Sequence, residues 1–390
     1  MRCSLSFAFP QARDSSGPPV SDVLLVLAMY SEFEDNRCPS VKNWDVGVAV
    51  LKGNALVYAQ RKKLLSRWEK TRRAKALLYV TGDRPNWETQ IHAEALDRII
   101  HHLDKTGDVD KISLILYTRG GNTLAAWSIV NLVRQFCQKL EVIVPSKAHS
   151  AGTLLCLGAD SIMMTKQATL GPIDPSVNGP LNPQIPGAPP HVRAPVSVEA
   201  INGFLSFARE GAGIADPGLL KDVFLRLAEQ VHPLVLGDVY RSRTQIRMLA
   251  GRLLSRQVSD EEKKERILQF LCSESGSHDY TIDRREARDE LGLNIERPDD
   301  RLYKQIKGIY DDFAAEMQLG EPYSPEVALG TNQQIQYRYK RALVESVKGG
   351  SHSFVSEGIL ARRQVQTAPG IVQSGVEDRR TLEGWIHESI

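Results

Sequence analysis

Residues 112–118, ISLILYT, form an unbroken apolar run, and no other feature constrains the fold as tightly. A run of that length without helical spacing marks a strand covered on both faces. Residues 122–140 follow, with Leu124, Trp127, Val130, Val133 and Cys137 on one helical stripe. Residues 142–145 then read as a buried strand, 150–158 as a short helix and 162–165 as another strand. Upstream, 76–81 reads as a strand and 92–103 as a helix. This alternation is a βαβ series, so the expected fold class is α/β with a largely parallel sheet. Such sheets carry their chemistry at the carboxyl ends of the strands.

Composition narrows the setting without naming a reaction. Lys plus Arg number 49 against 47 for Asp plus Glu, a net charge of +2, which is not the footprint of a dedicated nucleic-acid binder. The five cysteines are scattered without a C-x-x-C pair, so neither a disulfide framework nor a cysteine zinc site is expected. No metal and no cofactor is expected at all. No window approaches the roughly 18 apolar residues of a membrane span, and Pro10, Arg13 and Asp14 interrupt the apolar start. The expectation is a cytoplasmic protein that engages neither membrane nor nucleic acid.

Outside the βαβ series the readings are coarser. Residues 1–42 are expected to be a poorly structured extension, 43–295 the main domain, and 296–390 a helical extension and tail. Within 43–60, Val46, Val48, Val50 and Leu51 alternate as a strand would. Residues 61–75 carry eight basic side chains around Leu64, Leu65 and Trp68, which reads as an amphipathic helix with a solvated basic face. Residues 171–195 contain eight prolines in 25 positions, which forbids a helix or central strand and suggests a lid or guiding loop. Beyond it, 198–211, 217–229, 233–255, 259–272 and 283–291 read as helices.

Two turns carry the chemistry. In Thr118-Arg119-Gly120-Gly121-Asn122 the glycine pair exposes consecutive backbone N–H groups between a strand and a helix. In His149-Ser150-Ala151-Gly152 a serine stands at a strand-to-helix bend, where its hydroxyl can project and the Ala151 amide can face an oxyanion. A glycine pair also makes an ordinary tight turn, and a serine also caps a helix. On successive βα units, however, the two turns supply the halves of an acyl-transfer site. Arg119 reads either as an exposed turn residue or as a reader of negative charge. Asp160 reads as a buttress of the sheet edge.

The run YTRGGNTLAAWSIVNLVRQF, followed by VIVPSKAHSAGTLLCLGADSIMMTKQATLGPIDP, resembles the Clp/crotonase superfamily, and within it the serine dehydrogenase proteinase family. A second block, SHDYTIDRREARDELGLNI, resembles that family's H-D-Y segment. The resemblance implies a Clp/crotonase-like fold of repeated ββα/βαβ units with a helical C-terminal region. It implies a serine peptidase with Ser150 as nucleophile, Asp174 as the orienting carboxylate and His278 as the base, His232 being the alternative base. Gly120, Gly121 and Ala151 would form the oxyanion hole. His149 reads as structural, and a Ser–Lys dyad through Lys147 or Lys166 stands as a minor alternative. The implied partners are a peptide or unfolded protein substrate and a homo-oligomer of trimer or hexamer type, packed through the helices after residue 197, with an ATPase or adaptor left open. Many relatives carry an N-terminal membrane segment, and none is read here. A crotonase-like acyl-thioester enzyme and an inactive scaffold of the same fold remain rival readings.

Overall fold

The computed structural model describes residues 46–173, 176–189, 191–274, 277, 279–368 and 371–388. The chain divides into two units, Met1–Asp45 and Val46–Ile390, and everything described below belongs to the second. The apolar runs do become strands buried on both faces. Chain order gives β1 (Lys75–Thr81), β2 (Val109–Tyr117), β3 (Cys137–Val144), β4 (Ser161–Met164) and β5 (Ile295–Glu296), all paired in parallel. Leu77, Tyr79, Leu114, Leu116, Val142 and Val144 pack on one face, against helices α1 (Ala95–Thr106), α2 (Thr123–Gln135) and α3 (Ala151–Leu157). Leu78, Val80, Ile115, Tyr117 and Ile143 pack on the other, against Leu65, Trp68, Ile306, Ile309 and Phe313. At about 1.5–3 kcal/mol per fully buried large apolar side chain, this double coverage is the main reason the sheet forms.

Three further strands extend the sheet. They are β6 (Gln334–Ser346), β7 (Gly350–Ala368) and β8 (Ile371–Glu388), and the full order is β5-β4-β3-β2-β1-β6-β7-β8. The last three are antiparallel to their neighbours, with Leu77 opposite Ser346 at the β1–β6 seam. Helix was expected after residue 296, and it is confined among the described residues to Asp300–Glu316 and Pro325–Leu329. Glycines and serines blur the alternation of these strands, and their partner β1 lies far away in sequence, so local pattern does not announce them.

Four other expectations are corrected. The alternating valines of 43–60 do not form a strand, because Val46–Arg72 is one continuous helix. Strand propensity is a weak local preference, and here the helix carries Tyr58, Leu65 and Trp68 into the interior. Its basic face is not wholly solvated either. Arg61 is completely buried, held by Glu345 at 2.6 Å, Asp312 at 2.5 Å and Glu316 at 2.7 Å. Arg72 bridges Glu141 and Glu296. The helix expected over 122–140 ends at Gln135, and Cys137 already opens β3 alongside Val109. The Ile282–Asp283 strand and the Glu286–Glu290 π-helical turn replace the helix expected over 283–291.

Candidate active site

The site is built where β2 and β3 end. Thr118 leaves β2 and forms a parallel bridge with Ala148: its N–H donates to Lys147 O (3.2 Å), and its C=O accepts from His149 N–H (3.1 Å). The two turns are thereby stitched together backbone to backbone. The glycine turn is also stitched to the segment before α1. Ile91 N–H donates to Gly120 O at 2.8 Å, and Asn122 N–H donates to Ile91 O at 2.9 Å. Asn122 then caps α2 by accepting from Ala125 N–H at 2.8 Å.

Gly120 and Gly121 have φ of +113° and +139°, backbone that favours glycine. A Cβ on Gly121 would lie 2.5 Å from the Ile91 backbone, and one on Gly120 would lie 2.8 Å from Ser150 Cβ. Gly152 is required for a different reason: a Cβ there would strike the Thr118 methyl.

Ser150 stands at the N-cap position of α3, yet its side chain makes no capping hydrogen bond. Its backbone has φ +52° and ψ −116°, far from the extended conformation of an ordinary cap. A non-glycine residue held in such a region stores roughly 1–3 kcal/mol of strain, and such strain clusters at functional sites. Ser150 lines a cleft of about 840 Å3 shared with Arg119, Gly121, His92, Ser176 and Arg341.

The amides divide unevenly. Gly120, expected to offer its N–H to an oxyanion, instead donates it to Thr118 Oγ1 at 2.9 Å. That hydroxyl is itself fixed by Thr81 Oγ1 at 2.7 Å. Among the described residues, the N–H groups of Gly121 and Ala151 have no protein acceptor.

The remaining candidates fall as follows. Asp174 and His278 lie outside the described residues. His232 caps the helix Pro233–Leu254, its Nδ1 accepting from Leu234 N–H at 3.2 Å, and it does not line the Ser150 cleft. His149 hydrogen-bonds Thr169 Oγ1 at 2.8 Å. Lys147 is bound to Asp83 at 2.7 Å, and Lys166 lies over the Tyr303 ring. Asp160 buttresses the sheet, pairing with Arg134 and accepting from Leu140 N–H. Arg119 is exposed at the cleft mouth.

Sequence reading missed His92. It is the one imidazole among the described residues of the cleft wall, and its Nδ1 lies 3.6 Å from the Glu94 carboxylate. Its only signal was position, since residue 91 bridges Gly121. The proline-rich segment also borders the cleft, through Ser176 and Asn178. It is tied down by buried Asn182, whose side-chain amide donates to Val177 O and Ala194 O.

A strained serine abutting a glycine turn at a strand-to-helix bend is the arrangement of a serine hydrolase. Residues 87–188 match the family model of the ClpP-like SDH-type serine proteinases. The matched segment spans β2, β3, β4 and both turns, and the mixed α/β architecture agrees with a Clp-like fold. The match supports a serine peptidase. Two uncharacterized proteins of Methanocaldococcus jannaschii are similar as well. MJ0137 is 32% identical over 202 residues, which is 50% of this chain and 59% of that protein. MJ1495 is 28% identical over 221 residues, 56% of this chain and 64% of that protein. The chain thus spans about three fifths of the length of these relatives. A solved structure of a mutant of the 1510-N membrane-bound stomatin-specific protease aligns over 60% of this chain and 85% of its own. That alignment has 16% identity and a TM-score of 0.34. No helix among the described residues is long and apolar enough to cross a membrane.

Proposed function

We propose that this chain is a serine peptidase whose nucleophile is Ser150. The observation that carries the reading is the strained, uncapped Ser150 backbone packed against Gly120 in the wall of a cleft. In this reaction Ser150 Oγ attacks a peptide carbonyl while a histidine takes its proton. The same imidazole then protonates the departing amine, and water hydrolyses the acyl-enzyme. The developing oxyanion is held by the N–H groups of Gly121 and Ala151, which have no acceptor among the described residues. Gly120 serves instead as the surface on which the serine turn rests. The acid–base pair is Asp174 and His278, as the family resemblance implies.

The deciding experiment is labelling with a fluorophosphonate probe. Wild type should be labelled at Ser150, and Ser150→Ala should be inert while keeping the wild-type circular dichroism spectrum. Labelling that persists in Ser150→Ala defeats the assignment.

Assembly belongs to the same proposal. The helix Pro217–Gln230 buries none of its residues and exposes Leu219, Phe224 and Leu225. A second copy of the chain is the proposed cover. Light scattering should give a multiple of the 43.4 kDa chain mass that falls to one chain in a Phe224→Asp, Leu225→Asp variant.

A further inference from the structure

On the side of the sheet where the C-terminal strands lie, four imidazoles converge. His101 and His102 come from α1, His352 from β7 and His387 from β8. The ring centroids of His352 and His387 are 4.3 Å apart and stacked, and His101 lies edge-on to both at 4.9 Å and 5.1 Å. One ligating nitrogen from each of His101, His352 and His387 lies within 4.8 Å of the other two. We propose that these three imidazoles bind a zinc-class divalent cation, with a water completing a tetrahedral shell.

The chemistry of the cluster favours this occupant. Nitrogen ligands at about 2.0–2.1 Å place tetrahedral partners about 3.3 Å apart, a separation that small side-chain rotations reach from the observed spacing. Imidazole is a borderline-soft ligand that suits zinc, copper and nickel, and no carboxylate joins the group to favour magnesium or calcium.

The outer hydrogen bonds orient the rings as ligands require. His352 Nδ1 hydrogen-bonds His102 Nε2 at 3.0 Å, and His102 Nδ1 hydrogen-bonds Ser346 Oγ at 2.8 Å. In the tautomer where Ser346 Oγ accepts, each Nδ1 carries a proton and the lone pair of His352 lies on Nε2, free for a metal. His387 donates from Nε2 to Gly349 O at 3.1 Å, which leaves its lone pair on Nδ1.

The turn between β6 and β7 is shaped to these rings. A Cβ on Gly349 would strike His102 Nδ1, and one on Gly350, whose φ is +80°, would lie 2.9 Å from His387 Nε2. A bound ion would therefore fasten the β7–β8 hairpin to α1.

The test uses the full chain without a polyhistidine tag, stripped with a chelator and titrated with Zn2+ and Co2+. Wild type should take up one ion per chain, and Co2+ should give the visible bands of a four-coordinate nitrogen site. His387→Gln, at an exposed position, and His101→Ala should each weaken binding by more than the roughly 10–100-fold that follows loss of an outer hydrogen-bond partner. Ser346→Ala should fall within that range. Wild-type uptake equal to that of a His101→Ala, His387→Gln double variant overturns the proposal, and so does a Co2+ spectrum with thiolate charge-transfer bands. Fluorophosphonate labelling of Ser150 should be unchanged in the stripped protein.

Discussion

Gly120 and Ser150 approach so closely that a Cβ on the glycine would lie 2.8 Å from the serine Cβ and 2.9 Å from His149 O. The approach presses together two turns that sit about thirty residues apart and gives each a conformation that only particular residues tolerate.

Gly120→Ala should therefore damage both fold and activity. The methyl group meets backbone as well as side chain, and φ of +113° strains any L-residue. A loss of about 1–3 kcal/mol of stability is expected in chemical denaturation. Displacing the Ser150 turn should also slow fluorophosphonate labelling about 100-fold, the scale of losing one oxyanion donor. Wild-type labelling kinetics in this variant would break the link between the two turns.

Ser150→Gly should do the opposite to stability. Glycine accepts φ +52° and ψ −116° without the steric cost of a side chain. The variant should be inert to the probe and unfold at a higher temperature than wild type, by the equivalent of about 1 kcal/mol or more. A lower melting temperature than that of Ser150→Ala would show that the backbone is not strained there.

The base can be separated from the other histidines by substitution. His278→Ala should lower peptide cleavage by roughly 10²–10⁴-fold, the usual contribution of general base catalysis. His232→Ala removes a helix cap and should cost about 0.5–2 kcal/mol of stability with activity retained. His92→Ala discriminates further, because His92 lines the Ser150 cleft with Glu94 beside it. Full activity in His278→Ala with none in His92→Ala would transfer the role.

Arg61→Met should be among the most damaging substitutions distant from the cleft. The guanidinium is fully buried with Glu345, Asp312 and Glu316, and removing it leaves Glu316 to Lys340 alone while Glu345 and Asp312 lose the cation that pairs them. About 3–5 kcal/mol of destabilisation is expected by urea unfolding.

Glu141 predicts a pH dependence. Burial works to raise its carboxyl, but hydrogen bonds from Arg72, Lys111 and Ser113 prevail and hold it below the usual carboxylate range. A folded value below the unfolded one means the stabilisation is present above about pH 4.3 and is lost as pH falls through the folded value. Denaturation curves from pH 7 downwards should show this loss in wild type and a smaller one in Glu141→Gln. Equal slopes in the two proteins would rule out Glu141 as a source.

What the sequence disclosed is what local pattern encodes. The ISLILYT strand, the glycine pair and the S-A-G bend each carry their reason within a few residues, and they stand where the pattern put them. The C-terminal strands escaped because their identity depends on β1, and the long first helix escaped because its alternating valines mimic a strand. Gly120's hydrogen bond to Thr118 is likewise a matter of tertiary geometry, invisible in the G-G pair itself. The histidine cluster was illegible for the same reason, its members being scattered from His101 to His387 with no metal-binding spacing. Asp174 and His278 rest on resemblance.

The seam between β1 and β6 also orders events in time. The Tyr58 hydroxyl donates to Ser346 O across 288 residues, and β1 finds its second neighbour only in that late strand. During synthesis, β1 must therefore wait with one row of backbone groups unpaired until Gln334–Ser346 has been made. Contacts this distant slow folding and leave an open strand edge at risk of pairing with other chains. A product truncated before Gln334 should accordingly accumulate as aggregate or chaperone-bound chain, even though every residue of the Ser150 turn is already present.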